Sequence, residues 1–83
     1  MAEKNVLRVN LDGTVYTLKG EASMERLREI SYLVDKKISG IRALAPGYSS
    51  GKVAMLAALQ LAEDMLTLQD EYMDLISAAD IAN

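Results

Sequence analysis

The chain has 83 residues, 51% of them apolar, with a net charge of −3. That is one domain at most, and too apolar for a disordered chain. With no Cys and no His, it excludes disulfides, thiolate or imidazole metal sites and imidazole acid–base catalysis. A chain this short buries a small core, so oligomerisation is the remaining route to stability. The core must come from Leu, Ile, Val, Met, Ala and Tyr, since Trp and Phe are absent.

The start, Met1-Ala2-Glu3-Lys4-Asn5, lacks the apolar run of a signal peptide. The longest apolar stretch, Val53 to Leu59, is far short of a membrane span. The expectation is a soluble cytoplasmic protein without membrane contact. Charge is uneven: every Lys and Arg lies at or before Lys52, and only acids come after it. The chain therefore has a mildly basic front and an acidic back.

Residues 6–19 read as a β-hairpin. Asp12-Gly13 suits a type I′ turn, which needs positive φ at both central positions. A two-residue loop sets Leu11 opposite Thr14, Val9 opposite Tyr16 and Leu7 opposite Leu18. The larger apolar side chains then share one face, while Arg8, Asn10, Thr17 and Lys19 take the other with Val15. An isolated hairpin is marginal in water, so this one must lie on helices or pair with another.

Ser23 reads as the N-cap of an amphipathic helix over 23–42. Leu27, Ile30, Val34, Ile38 and Ile41 recur at steps of three and four, and Leu33 widens the stripe. Gly40 weakens the last turn. Residues 43–51 form a loop around Pro46-Gly47, with Ser49 or Ser50 placed to cap the next helix.

A second helix runs from about Ser50 to Ala79. Its seam is Ala54, Ala58, Leu61, Met65, Leu68, Tyr72, Leu75 and Ala79, a heptad pattern. Leu59, Ala62, Leu66, Met73 and Ile76 make a second stripe. Up to Leu59 the helix is apolar nearly all round, which predicts burial on several sides. At 1.5 Å per residue the first helix is about 28 Å long and the second about 45 Å. Some three turns of the second helix have no cover within the chain. Leu61, Met65, Leu68, Tyr72, Leu75 and Ile76 are therefore expected at an interface between chains.

The fold class is thus α+β: an N-terminal β-hairpin, a short amphipathic helix and a long C-terminal coiled-coil helix, oligomeric. Residues 1–51 form a head and 52–83 the long helix, within one domain.

Other chemistry competes poorly with plain structure. Gly47-Tyr48-Ser49-Ser50-Gly51-Lys52 faintly resembles a phosphate loop. The spacing is one residue short, Val53 replaces the hydroxyl residue, and a helix precedes it, so a turn with a helix cap is preferred. Glu63, Asp64, Asp70, Glu71 and Asp74 lie along one straight helix, which does not wrap a cation; they read as a solvated acidic face. The basic front is sparse for nucleic acid. Tyr16 and Tyr72 suit packing, and the Met residues suit core filling. Neither a catalytic site nor a cofactor is expected.

Three stretches resemble the cell-division protein ZapA family: the hairpin Val9-Asn10-Leu11-Asp12-Gly13-Thr14-Val15-Tyr16-Thr17-Leu18-Lys19-Gly20, the helix segment Leu33-Val34-Asp35-Lys36-Lys37-Ile38, and the opening of the long helix from Lys52 to Leu66. Gln60 stands where the family has Asn. The resemblance covers nearly the whole chain. It implies a non-enzymatic protein that dimerises through its long helices, often forming antiparallel tetramers. It also implies binding to FtsZ, the tubulin-like division GTPase, at the midcell Z-ring, with bundling of its protofilaments. FtsZ is acidic, so the basic residues near the loop become the expected contacts: Arg42 and Lys52 first, then Lys36, Lys37 and Arg8. The alternative reading is a small dimeric nucleic-acid-binding module or a generic coiled-coil adaptor.

Overall fold

A computed structural model describes residues 4–82, with side chains to Ala79. Residues 1–3 of the expected head, Asn83 at the end of the expected long helix, and the side chain of Asp80 among the acids lie outside the described residues. Strands β1 (Asn5–Leu11) and β2 (Thr14–Gly20) form a two-stranded antiparallel sheet. The expected register holds at each pair, with Leu7, Val9 and Leu11 opposite Leu18, Tyr16 and Thr14. Asp12 at φ 55° and Gly13 at φ 84° supply the two left-handed positions that the turn needs. Asn10 closes the turn by accepting from the Gly13 amide at 3.1 Å.

Helix α1 (Met24–Leu44) begins where Ser23 accepts from the Arg26 amide at 3.1 Å. It runs two residues past the expected end, because Ala43 and Leu44 are good helix formers. The Ala45 amide closes its last turn on the Ile41 carbonyl. Helix α2 (Ser50–Ala82) begins after Ser49, whose hydroxyl accepts from the Lys52 amide at 3.2 Å. The connection is shorter than expected, since Ser50 and Gly51 already belong to the first turn of α2.

The core is a short line of side chains. Ile38 and Ile41 of α1 meet Val53 and Ala57 of α2, flanked by Leu11, Val34 and Leu56. Leu27 is buried apart from this cluster, beside Gly20 at the end of the hairpin. Ile30 and Leu33 of the expected stripe remain exposed. The opening of α2 is covered on one side only: Met55 and Leu59 point to solvent while Val53 and Ala57 are buried. One helix and one hairpin cannot enclose a second helix all round.

The molecule is correspondingly thin. Its extents are 52 × 42 × 14 Å, and its radius of gyration is 16.9 Å, against about 12 Å for a compact chain of this length. Among the described residues, no helix is long and apolar enough to cross a membrane.

Candidate functional site

This shape leaves two surfaces open. The first is the far part of α2. The 33 residues of α2 span about 50 Å, while the 21 of α1 reach about 31 Å. From Ala62 to Ala79 every side chain is exposed. Met65, Leu68, Tyr72 and Leu75 each leave more than 60% of their surface open, and Ile76 leaves 38%. Leu61 is half-buried, at the point where the cover from α1 ends. Leu61, Met65, Leu68, Tyr72 and Leu75 recur on successive turns of one helix, with Ile76 beside Leu75. Apolar exposure of this extent marks a surface made for a partner.

Toward the head, the same seam runs into an open apolar groove of about 350 Å³. Its walls are Leu11 and Tyr16 from the hairpin, Val34 and Ile38 from α1, and Ala54, Ala58 and Leu61 from α2. The seam residues Ala54 and Ala58 thus face a cavity, together with Val53 and Ala57, which also carry the chain's own core.

The second surface surrounds the loop between the helices. Arg42 stands at its centre. Its Nε donates to Asp12 Oδ1 at 3.0 Å and its Nη2 to Asp12 Oδ2 at 2.6 Å, a bidentate pair. Its Nη1 donates to the carbonyls of Pro46 and Tyr48. One guanidinium therefore fastens the hairpin turn to the end of α1 and to the loop. Lys52 places its ammonium 4.0 Å from the centre of the Tyr48 ring, a cation–π contact. Tyr48 thus links Arg42 and Lys52, which the sequence had placed near one another. Lys37 crosses to α2 and pairs with Asp64 at 2.6 Å. Lys36 is exposed beside it, and Arg8 is exposed on the outer face of the hairpin. Sequence reasoning missed Asp12 and Asp64 as partners of these cations. A left-handed Asp in the turn was visible; its distance from Arg42 was not.

The pair moves the titration of both groups. Hydrogen bonds from Arg42 first, and from the Ser50 hydroxyl second, hold the Asp12 carboxyl below its usual range against partial desolvation. The hydrogen bond to Asp12 raises Arg42 in turn. A carboxyl depressed in the folded state stabilises above its unfolded pKa, about 3.9. That contribution is lost as the pH falls from there through the folded value. Arg42→Met is therefore expected to melt below the parent at pH 7, and by a smaller margin at pH 3. Thermal melts followed by circular dichroism at both pH values check this; an unchanged gap in acid would mean that Arg42 stabilises through its stem or its carbonyl contacts.

A family model described as Cell division protein ZapA matches residues 7–82. A Cell division protein ZapA of a Geobacillus species is 34% identical over 74 residues, covering 87% of this chain and 85% of its own. That of Bacillus velezensis is 31% identical over 70 residues, covering 84% and 82%. Among solved structures, a ZapA mutant dimer from Geobacillus stearothermophilus aligns with a TM-score of 0.68 at 29% identity, over 94% of this chain and 91% of the other. The match spans hairpin, both helices and the loop between them, and the chain belongs to the ZapA family of cell division proteins.

Proposed function

We propose that the chain is a non-enzymatic cross-linker of the division machinery. It self-associates through the exposed seam of α2, and the oligomer bridges FtsZ protofilaments at the midcell Z-ring. The observation that carries this reading is the uncovered apolar face from Leu61 to Ile76. A helix of that length with no cover in its own chain serves to join chains. Two heads held by one joined stem then present two copies of the loop surface, so one oligomer holds two filaments.

The head supplies the contact. Lys52, Lys36 and Arg8 carry its positive charge outward, Lys37 stands beside them paired with Asp64, and Arg42 shapes the loop that displays Tyr48 and Lys52. Such charges act mainly on association rate and salt sensitivity. The test is co-sedimentation with polymerised FtsZ at low salt. The parent is expected in the pellet with bundled filaments. Lys52→Glu should bundle less while keeping its helicity and oligomer size. A parent protein that stays in the supernatant would sink the proposal. A shift of labelled DNA by the parent at physiological salt would instead favour the nucleic-acid reading.

A further inference from the structure

On the side of the head away from the apolar groove, α1 and α2 flank a second cleft of about 420 Å³. Leu33, Lys36, Lys37 and Gly40 of α1 line it, with Gln60 and Asp64 of α2. Three observations in and beside it lack an explanation within the chain. Gly40 lies inside α1, where glycine costs stability relative to almost any residue but proline. A Cβ at Gly40 would meet no atom within 4 Å, so packing inside the chain does not require its absence. Leu33 and Leu44 are 55% and 89% exposed. Eleven residues apart, they fall nearly in line on the helix, about 16 Å from one another, with Lys37 and Gly40 between them.

We propose that this cleft docks an acidic, amphipathic segment of the filament protein, with a side chain or backbone seated directly over Gly40. The inference rests on the cross-linking reading and names its contact surface. Charge decides the kind of occupant. Lys36 makes no ion pair among the described residues, and Lys37 is held at the cleft's rim by Asp64. With that pair neutral, Lys36 leaves the cleft one positive charge in surplus, which points to a partner that brings a carboxylate. A second copy of this chain fits less well on this side, because the exposed seam of α2 continues into the other groove. Apolar side chains of the segment would cover Leu33 and Leu44. The missing Cβ lets the segment approach α1 closely, the usual use of glycine where two backbones meet.

Gly40→Gln separates stability from docking. It fills the floor of the cleft while restoring helix propensity. Ser39→Gln, on the next position and another face, is the control. Gly40→Gln is expected to melt a few degrees above the parent, with unchanged size by light scattering, yet to co-sediment several-fold less with polymerised FtsZ. Leu44→Ser should weaken pelleting in the same way without the rise in melting temperature. Ser39→Gln should pellet like the parent. Equal pelleting by Gly40→Gln and the parent overturns the inference and leaves the cross-linking reading standing. A changed oligomer size in Gly40→Gln assigns the cleft to a second copy and overturns it as well. If the parent itself does not pellet, both readings fall.

Discussion

Leu68→Glu is expected to behave as a smaller species than the parent at tens of micromolar, about the concentration of an ordinary sizing experiment. Leu68 is 67% exposed within the chain, so the substitution costs the isolated chain little. In an assembled seam it places a carboxylate in an apolar interface with no partner. That costs several kcal/mol, and about 4 kcal/mol already weakens association roughly a thousandfold. Ile76→Asp, two turns further on, should act in the same direction. The freed end of α2 should also fray, since a helix without tertiary cover is marginal in water. Dilution should then lower the far-ultraviolet helix signal of the parent but not of the variant. Light scattering from a parent already monomeric at those concentrations would remove the argument from uncovered length altogether.

Ile41→Ala should have the largest effect on the head. Leu27, Ile38, Ile41, Val53 and Ala57 are its buried apolar residues. Truncating a buried Ile to Ala typically costs about 2–5 kcal/mol, and a core of this size supplies only about 3–5 kcal/mol in all. Combined with Leu68→Glu, the substitution should abolish the cooperative thermal transition, because neither core nor partner remains. Alone it should lower the midpoint strongly and leave a transition that sharpens with protein concentration. Equal midpoints for Ile41→Ala and the parent would show that the short line of side chains around Val53 is not what holds the helices together.

Much of this architecture is written locally. Asp12-Gly13 sets the turn, the turn sets the register, and Ser23 and Ser49 each stand one residue before the helix whose first turn their hydroxyls cap. The uncovered length of α2 was legible as a difference between two helix lengths, with no need to know how the helices cross. What stayed hidden depends on angles. Near Val53 the helix is apolar on every side, so periodicity could not say whether Val53 and Ala57 or Ala54 and Ala58 would face α1. Asp12 and Arg42 are 30 residues apart, and only the tilt of the hairpin against the end of α1 brings them together. The Lys37–Asp64 pair likewise depends on how far α2 slides past α1. The cations were visible as a surplus; which were occupied within the chain was not.

Position 12 meets two demands at once. Its backbone sits at φ 55°, where only glycine, asparagine and aspartate are at ease, and its side chain accepts from two of the three guanidinium nitrogens of Arg42. Glycine would satisfy the turn and abandon the arginine. Asparagine would keep the turn and offer one acceptor where two are used. Glutamate would keep the charge and strain the backbone. An exposed turn is ordinarily the most forgiving part of a chain, open to drift and to short insertions. Here it carries a tolerance closer to that of a core residue, and the freedom to vary passes instead to its neighbour Thr14 on the strand beyond.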